Sequence, residues 1–159
     1  MTRRLTALAL LLLALPLAGV RQAGATPDDC TQQSRRVRLP GGFTEARLSF
    51  AAVLTSGQMR VGDHFPGGDV RDIRIVVSWS DLDDAHHQRL ELYSPDGSLY
   101  QRFNATFTGE RRPVSVVTPL PVAGSSITDA GLYGEWCAEV FLDDEDAPIA
   151  RRSFQLTPP

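Results

Sequence analysis

The chain has 159 residues, with 16 basic and 19 acidic side chains and a formal net charge of −3. That sign excludes the sequence-independent nucleic-acid binders, whose affinity comes from basic charge meeting phosphate. The basic side chains other than three histidines are all arginine, with no lysine; this fits the coding bias of a GC-rich genome, hence a bacterial source, before it fits any chemistry.

Residues 1–25 read as an export signal whose helix stays outside the fold. Arg3 and Arg4 form a basic start, residues 5–15 an apolar run, Pro16 ends it, and Ala23-Gly24-Ala25 is a small-x-small cleavage site. The run is shorter than the roughly 20 residues a spanning helix needs. No second apolar span follows, so no membrane crossing is expected after cleavage, and the mature chain is expected to be secreted or periplasmic. Its loss of Arg3, Arg4 and Arg21 makes it more negative still. The two cysteines, Cys30 and Cys137, are an even count in an exported chain, which predicts a disulfide bracketing nearly the whole mature domain.

Residues 26–42 form a polar lead-in arm with a basic cluster at Arg35, Arg36 and Arg38, and the break Pro40-Gly41-Gly42 separates it from a domain over 43–159. Ala46, Leu48, Phe50, Ala52 and Leu54 alternate with polar or small residues and predict a first strand. Residues 57–69 hold Gly57, Gly62, Pro66, Gly67 and Gly68 and read as a long loop, a candidate contact surface. Ile73, Ile75, Val77 and Trp79 predict the second strand, followed by an acidic loop over 80–87. Residues 88–107 form a hairpin about Ser94-Pro95-Asp96-Gly97, where proline fixes φ and glycine accepts a positive φ.

A short strand over 114–118 leads to Pro119 and Pro121, which make residues 122–127 an edge or a connector. Residues 131–142 are the best-specified strand. Leu132, Gly134, Trp136, Ala138, Val140 and Leu142 point one way, and Tyr133, Glu135, Cys137, Glu139 and Phe141 the other. A charged turn at Asp143-Asp144-Glu145-Asp146 precedes a last strand over 149–156, with Phe154 and Leu156 as core residues. No helical periodicity follows the signal. The pattern is that of an all-β, antiparallel two-sheet sandwich of about seven or eight strands, with a small barrel or jelly roll as the alternative.

The run Asp129-Ala130-Gly131-Leu132-Tyr133 followed by Cys137 resembles the corner that enters strand F of the immunoglobulin fold, and Trp79 resembles the strand C tryptophan. Two departures stand out: the cysteine follows the tyrosine by four residues rather than two, and Cys30 lies in the arm. With Trp136 and Cys137 on opposite faces, the disulfide is expected to pin the arm to the outside or edge of one sheet. The phrases Tyr-Ser-Pro-Asp-Gly-Ser-Leu-Tyr at 93–100 and Gly-x-Trp-x-x-x-Val-x-Leu-Asp at 134–143 are similar to those of bacterial exported immunoglobulin-like or fibronectin-III-like modules. The resemblance implies a binding, spacer or assembly role.

The densest set of possible metal ligands is Asp81, Asp83, Asp84, His86 and His87, where carboxylates suit Ca²⁺ and imidazoles Zn²⁺ or Cu²⁺. The glycine and glutamate of a helix-loop-helix calcium site are missing, and neighbouring histidines on a strand would face opposite ways. No Gly-x-Ser-x-Gly elbow, His-Glu-x-x-His, Cys-x-x-Cys or phosphate loop occurs, so no catalytic residue and no cofactor are assigned. Trp79 and Trp136 read as core rather than a sugar platform. Asn104-Ala105-Thr106 fits a glycosylation acceptor, idle in a bacterium. The expected function is an exported binding or assembly module whose partner is a protein or glycan, with contacts at 57–69 or by strand addition at the edge over 114–127. The alternatives are a metal-binding protein using the 81–87 loop and, third, a small hydrolase.

Overall fold

A computed structural model describes residues 30–159 apart from 41, 110 and 111. The expected signal segment and its cleavage site lie outside the described residues. Twelve strands form two stacked sheets and a small hairpin. The hairpin is β1's neighbour in sequence: after β1 (Gln33–Ser34), β2 (Val37–Leu39) pairs with β3 (Gly42–Thr44). Then come β4 (Ala46–Leu54), β5 (Met59–Val61), β6 (His64–Pro66), β7 (Val70–Trp79), β8 (Ala85–Tyr93), β9 (Leu99–Thr108), β10 (Val114–Pro121), β11 (Gly134–Leu142) and β12 (Ala150–Thr157).

One sheet has the order β10-β7-β4-β5. The other runs β1-β12-β11-β8-β9, with β6 added in parallel to the far end of β12. The long strands expected from alternation are present; of the strand expected over 131–142, residues 134–142 form β11, interior between β8 and β12, while 131–133 belong to the turn that leads into it. Period-two alternation works because each sheet has one face turned inward. On β7 the inward set Ile73, Ile75, Val77 and Trp79 meets Leu90, Leu92, Trp136, Ala138 and Val140 from the facing sheet, all buried. The core is held at one end by Trp136 stacked on Phe154 at 6.1 Å, with Phe50 4.9 Å from Phe154 and Tyr100 edge-on to Trp136 at 5.0 Å. At the other end Trp79 stacks on Phe107 at 5.8 Å. Both indoles are at most 1% exposed. Each finds an acceptor: Trp79 Nε1–H donates to Gln88 Oε1 at 2.8 Å, and Trp136 Nε1–H to the Leu132 carbonyl at 3.1 Å.

Three expectations are corrected. Residues 57–69 are not a plain loop: they contain β5, β6 and a 3₁₀ turn at Gly67–Asp69, because Met59–Val61 finds the free edge of β4 and His64–Pro66 that of β12. The acidic loop ends at Asp84, and His86 and His87 belong to β8. The connector expected after Pro121 is there, closed by a one-turn helix, α1 (Ser126–Asp129), which Ser125 caps by accepting from the Ile127 N–H at 3.2 Å. It is too short to leave a helical period in the sequence. Finally, the likeness of Trp79 to a strand C tryptophan implies a place in the same sheet as the strand F cysteine, and Trp79 is not in the sheet that carries Cys137. It ends β7 in the four-stranded sheet, one turn before the chain crosses over.

The hairpin turn is as expected: Gly97 has φ +79°, and its N–H donates to the Ser94 carbonyl at 2.8 Å. Gly134 has a second reason to be glycine, because at φ +141° a Cβ would lie 2.8 Å from the Pro95 Cβ.

Candidate functional site

The turn at 80–84 is built around Leu82, which is buried, while Asp81, Asp83 and Asp84 are exposed. Asp81 adopts φ +55°, a left-handed conformation that aspartate tolerates better than most residues. The Asp84 carbonyl accepts from the Gly109 N–H at 2.9 Å, which ties the turn to the end of β9.

His86 and His87 are separated by the strand itself. His86 faces inward at the rim of the core, its ring 6.2 Å from Phe107 and its Nδ1 2.9 Å from Asp143 Oδ2. His87 faces outward, with Nδ1 3.3 Å from Thr106 Oγ1. The second oxygen of Asp143 accepts from the His87 backbone N–H at 2.9 Å, and the Asp143 N–H donates to the His87 carbonyl at 2.7 Å. Asp143 thus closes the β8–β11 ladder where it ends, with φ +51°. Nothing in the sequence marked it apart from the three acidic neighbours of the same turn, because its partners are 56 and 57 positions away. Among the described residues, no three histidine, cysteine, aspartate or glutamate side chains come together as a ligand set. The remaining histidine, His64, sits on β6 with Nδ1 2.8 Å from Asp63 Oδ1. That contact leads the pull on the Asp63 carboxyl, holding it below the usual aspartate range, with Arg152 adding to it.

Cys30 and Cys137 are bonded, with Cα atoms 5.7 Å apart. Cys137 lies on the outer face of the six-stranded sheet, so the bond straps the arm over that face instead of joining the two sheets. Beneath and beside the arm this face is charged yet buried. The Glu139 and Glu91 side chains are only 6% and 9% exposed. Arg151 Nη2 approaches Glu139 to 2.5 Å, Arg102 Nη2 lies 2.8 Å from Glu91, and Arg89 stacks over the Phe141 ring at 4.1 Å. Tyr93 donates to Glu91 at 2.8 Å; burial first, then this bond and the carboxylates nearby, push its phenol well above its ordinary pKa.

Beside the arm runs an open groove of about 910 Å³ between the edges of the two sheets. Gln32 and Ser34 from the arm, Glu45 just before β4, Arg47 at its start, Ser78 from β7 and Arg152 from β12 line it. Its lining is only slightly more polar than apolar, with Ala46, Leu48, Pro113 and Ala150 beside the polar groups, and Trp79, also at its wall, is too buried to stack on a ligand. Sequence reading missed this groove because its walls come from five separated segments. Of the arm's basic cluster, Arg35 is engaged: it reaches Glu145 at 2.7 Å and donates to the carbonyls of Ala147 and Pro148.

The other expected contact surfaces are distinct from the groove. On β5, Met59 and Val61 are 58% and 77% exposed, an apolar tip at the opposite end of β7 from the Asp/His turn. The edge expected over 114–127 is β10 up to Pro121, followed by a turn and α1.

No family model matches the chain, and no curated protein does. Solved structures similar to it include the C-terminal domain of Wzt, with 13% identity and a TM-score of 0.45, covering 80% of this chain and 78% of that one. Another is an immunoglobulin-like protein from Pseudomonas aeruginosa, with 15% identity and a TM-score of 0.36, covering 70% of this chain and 95% of that one. Likenesses this distant concern the fold alone. The strand order itself defines the class: an immunoglobulin-like β-sandwich in which a β4-β7-β10 sheet faces β12-β11-β8-β9 and the chain crosses between sheets after Trp79. Among the described residues no helix is long and apolar enough to cross a membrane.

Proposed function

We propose that this chain is an exported, non-catalytic binding or assembly module whose partner is a protein or a glycan of the envelope or extracellular space. The observation that carries the reading is the distribution of polar groups. The space between the sheets is filled by side chains, and both tryptophans are buried in it. His64, His86 and His87 face three different ways, and the cysteines are bonded to each other. Amide, hydroxyl and guanidinium groups gather instead in the open groove beside the arm, an arrangement suited to hydrogen-bonding a polar partner rather than to enclosing a reaction.

The test is retention of envelope-extract proteins and of arrayed glycans on the immobilised mature chain. A partner retained by the native chain and lost on Arg47→Glu, whose side chain is 82% exposed at the groove, is the expected result. No retention from either source removes the reading. The metal alternative is separated by titration calorimetry with Ca²⁺, Zn²⁺ and Cu²⁺. Stoichiometric heat that disappears when Asp81, Asp83 and Asp84 are changed together to asparagine would replace it.

A further inference from the structure

A sandwich has four long edges, and an unguarded edge is a template for another strand. In this molecule three are guarded, each differently. The edge of β12 is covered by β1 at Ala150–Arg151 and by β6 at Gln155–Thr157. The edge of β4 is covered by β5 beyond Ala51, and its earlier carbonyls are capped one by one. Ser34 Oγ donates to Ala46, Arg152 Nη1 to Leu48, and the Gly62 N–H to Phe50, at 3.0, 3.0 and 3.1 Å.

The edge of β10 is guarded by proline. The Val122 N–H donates to Arg71 across the continuation of the β7 ladder, so even-numbered residues there face β7 and odd-numbered ones face out. Pro119 and Pro121 occupy outward positions, where the missing N–H groups deny a partner its bonds. This narrows the strand-addition expectation for the 114–127 edge: only its first part retains outward donors.

The fourth edge, β9, has none of these devices. The Gly109 N–H donates to Asp84, which sets odd-numbered residues toward β8 and leaves Arg102, Asn104, Thr106 and Thr108 with both backbone groups outward. Over Gln101–Thr108 the register is unbroken and there is no proline; the one irregularity lies earlier, at Leu92/Tyr93. Arg102 is the strand's only charge, and its guanidinium is turned back onto Glu91 at 2.8 Å. Among the described residues, nothing caps the outward groups.

We propose that β9 pairs with β9 of a second copy of this chain, antiparallel about a two-fold axis through Ala105, which joins the two six-stranded sheets into one. The residues of the strand fit this occupant. Centred there, Asn104 of one copy lies opposite Thr106 of the other, and Arg102 opposite Thr108, so all four outward residues exchange bonds and no like charges meet. On the inner side the half-buried Phe103 of one copy falls opposite Phe107 of the other, with Ala105 against its own mate. A contact that is its own complement suits a closed dimer. The inference extends the assembly side of the proposed function, and it can fail while that reading stands.

The register makes the test specific. Light scattering and sedimentation of the mature protein across a concentration series should show a reversible dimer. N104E/T106E puts two carboxylates opposite each other on both sides of the axis and should weaken the dimer roughly tenfold or more. N104E/T106K puts opposite charges there and should dimerise at least as well as the native chain. Within one copy both pairs stand beside Arg89 and His87 of β8, at positions that are themselves exposed, so the fold should tolerate them. A measurement needing no variant accompanies these: the amides of residues 102, 104, 106 and 108 should exchange more slowly with deuterium as concentration rises. A native chain that stays monomeric overturns the proposal, and so do two variants that associate alike, or edge amides indifferent to concentration. A monomer that still captures a partner through the groove would leave the binding role intact.

Discussion

Along one flank of the sandwich, β4 and β12 lie under the N-terminal arm; along the other, β9 and β10 stand open. The first flank is closed with connections from far apart in sequence. The arm is bonded to β11 through Cys30–Cys137, β1 adds to β12, and Arg152 reaches across to the Leu48 carbonyl. The second flank has only local means, two prolines on β10, while β9 is a regular run whose single charge, Arg102, is turned back onto Glu91. Both flanks present the same obligation, since backbone donors and acceptors left beside a sheet must be satisfied by strand, side chain or water. The difference shows that in this molecule the arm is part of the sheet system, not a tether leading into it. It also places the groove on the closed flank and the free edge on the open one, so the two surfaces can be occupied independently.

That contrast can be broken first at the disulfide. Removing it with Cys30→Ser/Cys137→Ser should cost about 2–5 kcal/mol of folding stability, since it closes a separation of 107 residues. Urea unfolding with the native chain alongside measures this. Limited proteolysis should then find new cuts near Gln33–Arg38 and none in β9. A loss below 1 kcal/mol would mean that β1 and Arg35 hold the arm unaided.

The next effect is smaller and more local. Arg152→Ala uncaps the Leu48 carbonyl and removes a partner 3.4 Å from Asp63. It should cost about 1–3 kcal/mol, the range for a buried acceptor left without its bond. If the stability is unchanged, water replaces the guanidinium and this edge is less closed than drawn.

The smallest effect is in the β8–β9 turn, on the open flank. The Ser94 and Ser98 hydroxyls and the Ser98 N–H all donate to Asp96, at 2.7, 2.7 and 3.1 Å. They hold its carboxyl down at about 2, from 3.8. A depressed pKa gives stability that is complete above the unfolded value and fades as pH falls from 3.8 toward 2. Carboxyl chemical shifts should place the Asp96 midpoint near the lower figure, and Ser94→Ala should raise it. Because the group is exposed, global stability should hardly change. A midpoint near 3.8 in the native chain would show that the turn is open in solution.

The sequence carried the long strands, their inward faces and the hairpin turn, because alternation and turn chemistry are local. Ile73, Ile75, Val77 and Trp79 had to share a face whatever they packed against, and Pro95-Asp96-Gly97 could turn unaided. The same logic placed Cys137 opposite Trp136 and hence the disulfide outside the core. What the chain could not disclose locally was who meets whom at long range. Only the folded sheets bring Asp143 to His86 and His87, Arg152 to Leu48, and the arm to the mouth of the groove. Short strands such as Met59–Val61 carry no period long enough to read and form only because a neighbouring edge is free. Edge or interior is likewise a property of the assembled sheet, so the exposure of β9, with nothing unusual in its own residues, was settled when its neighbours took their places.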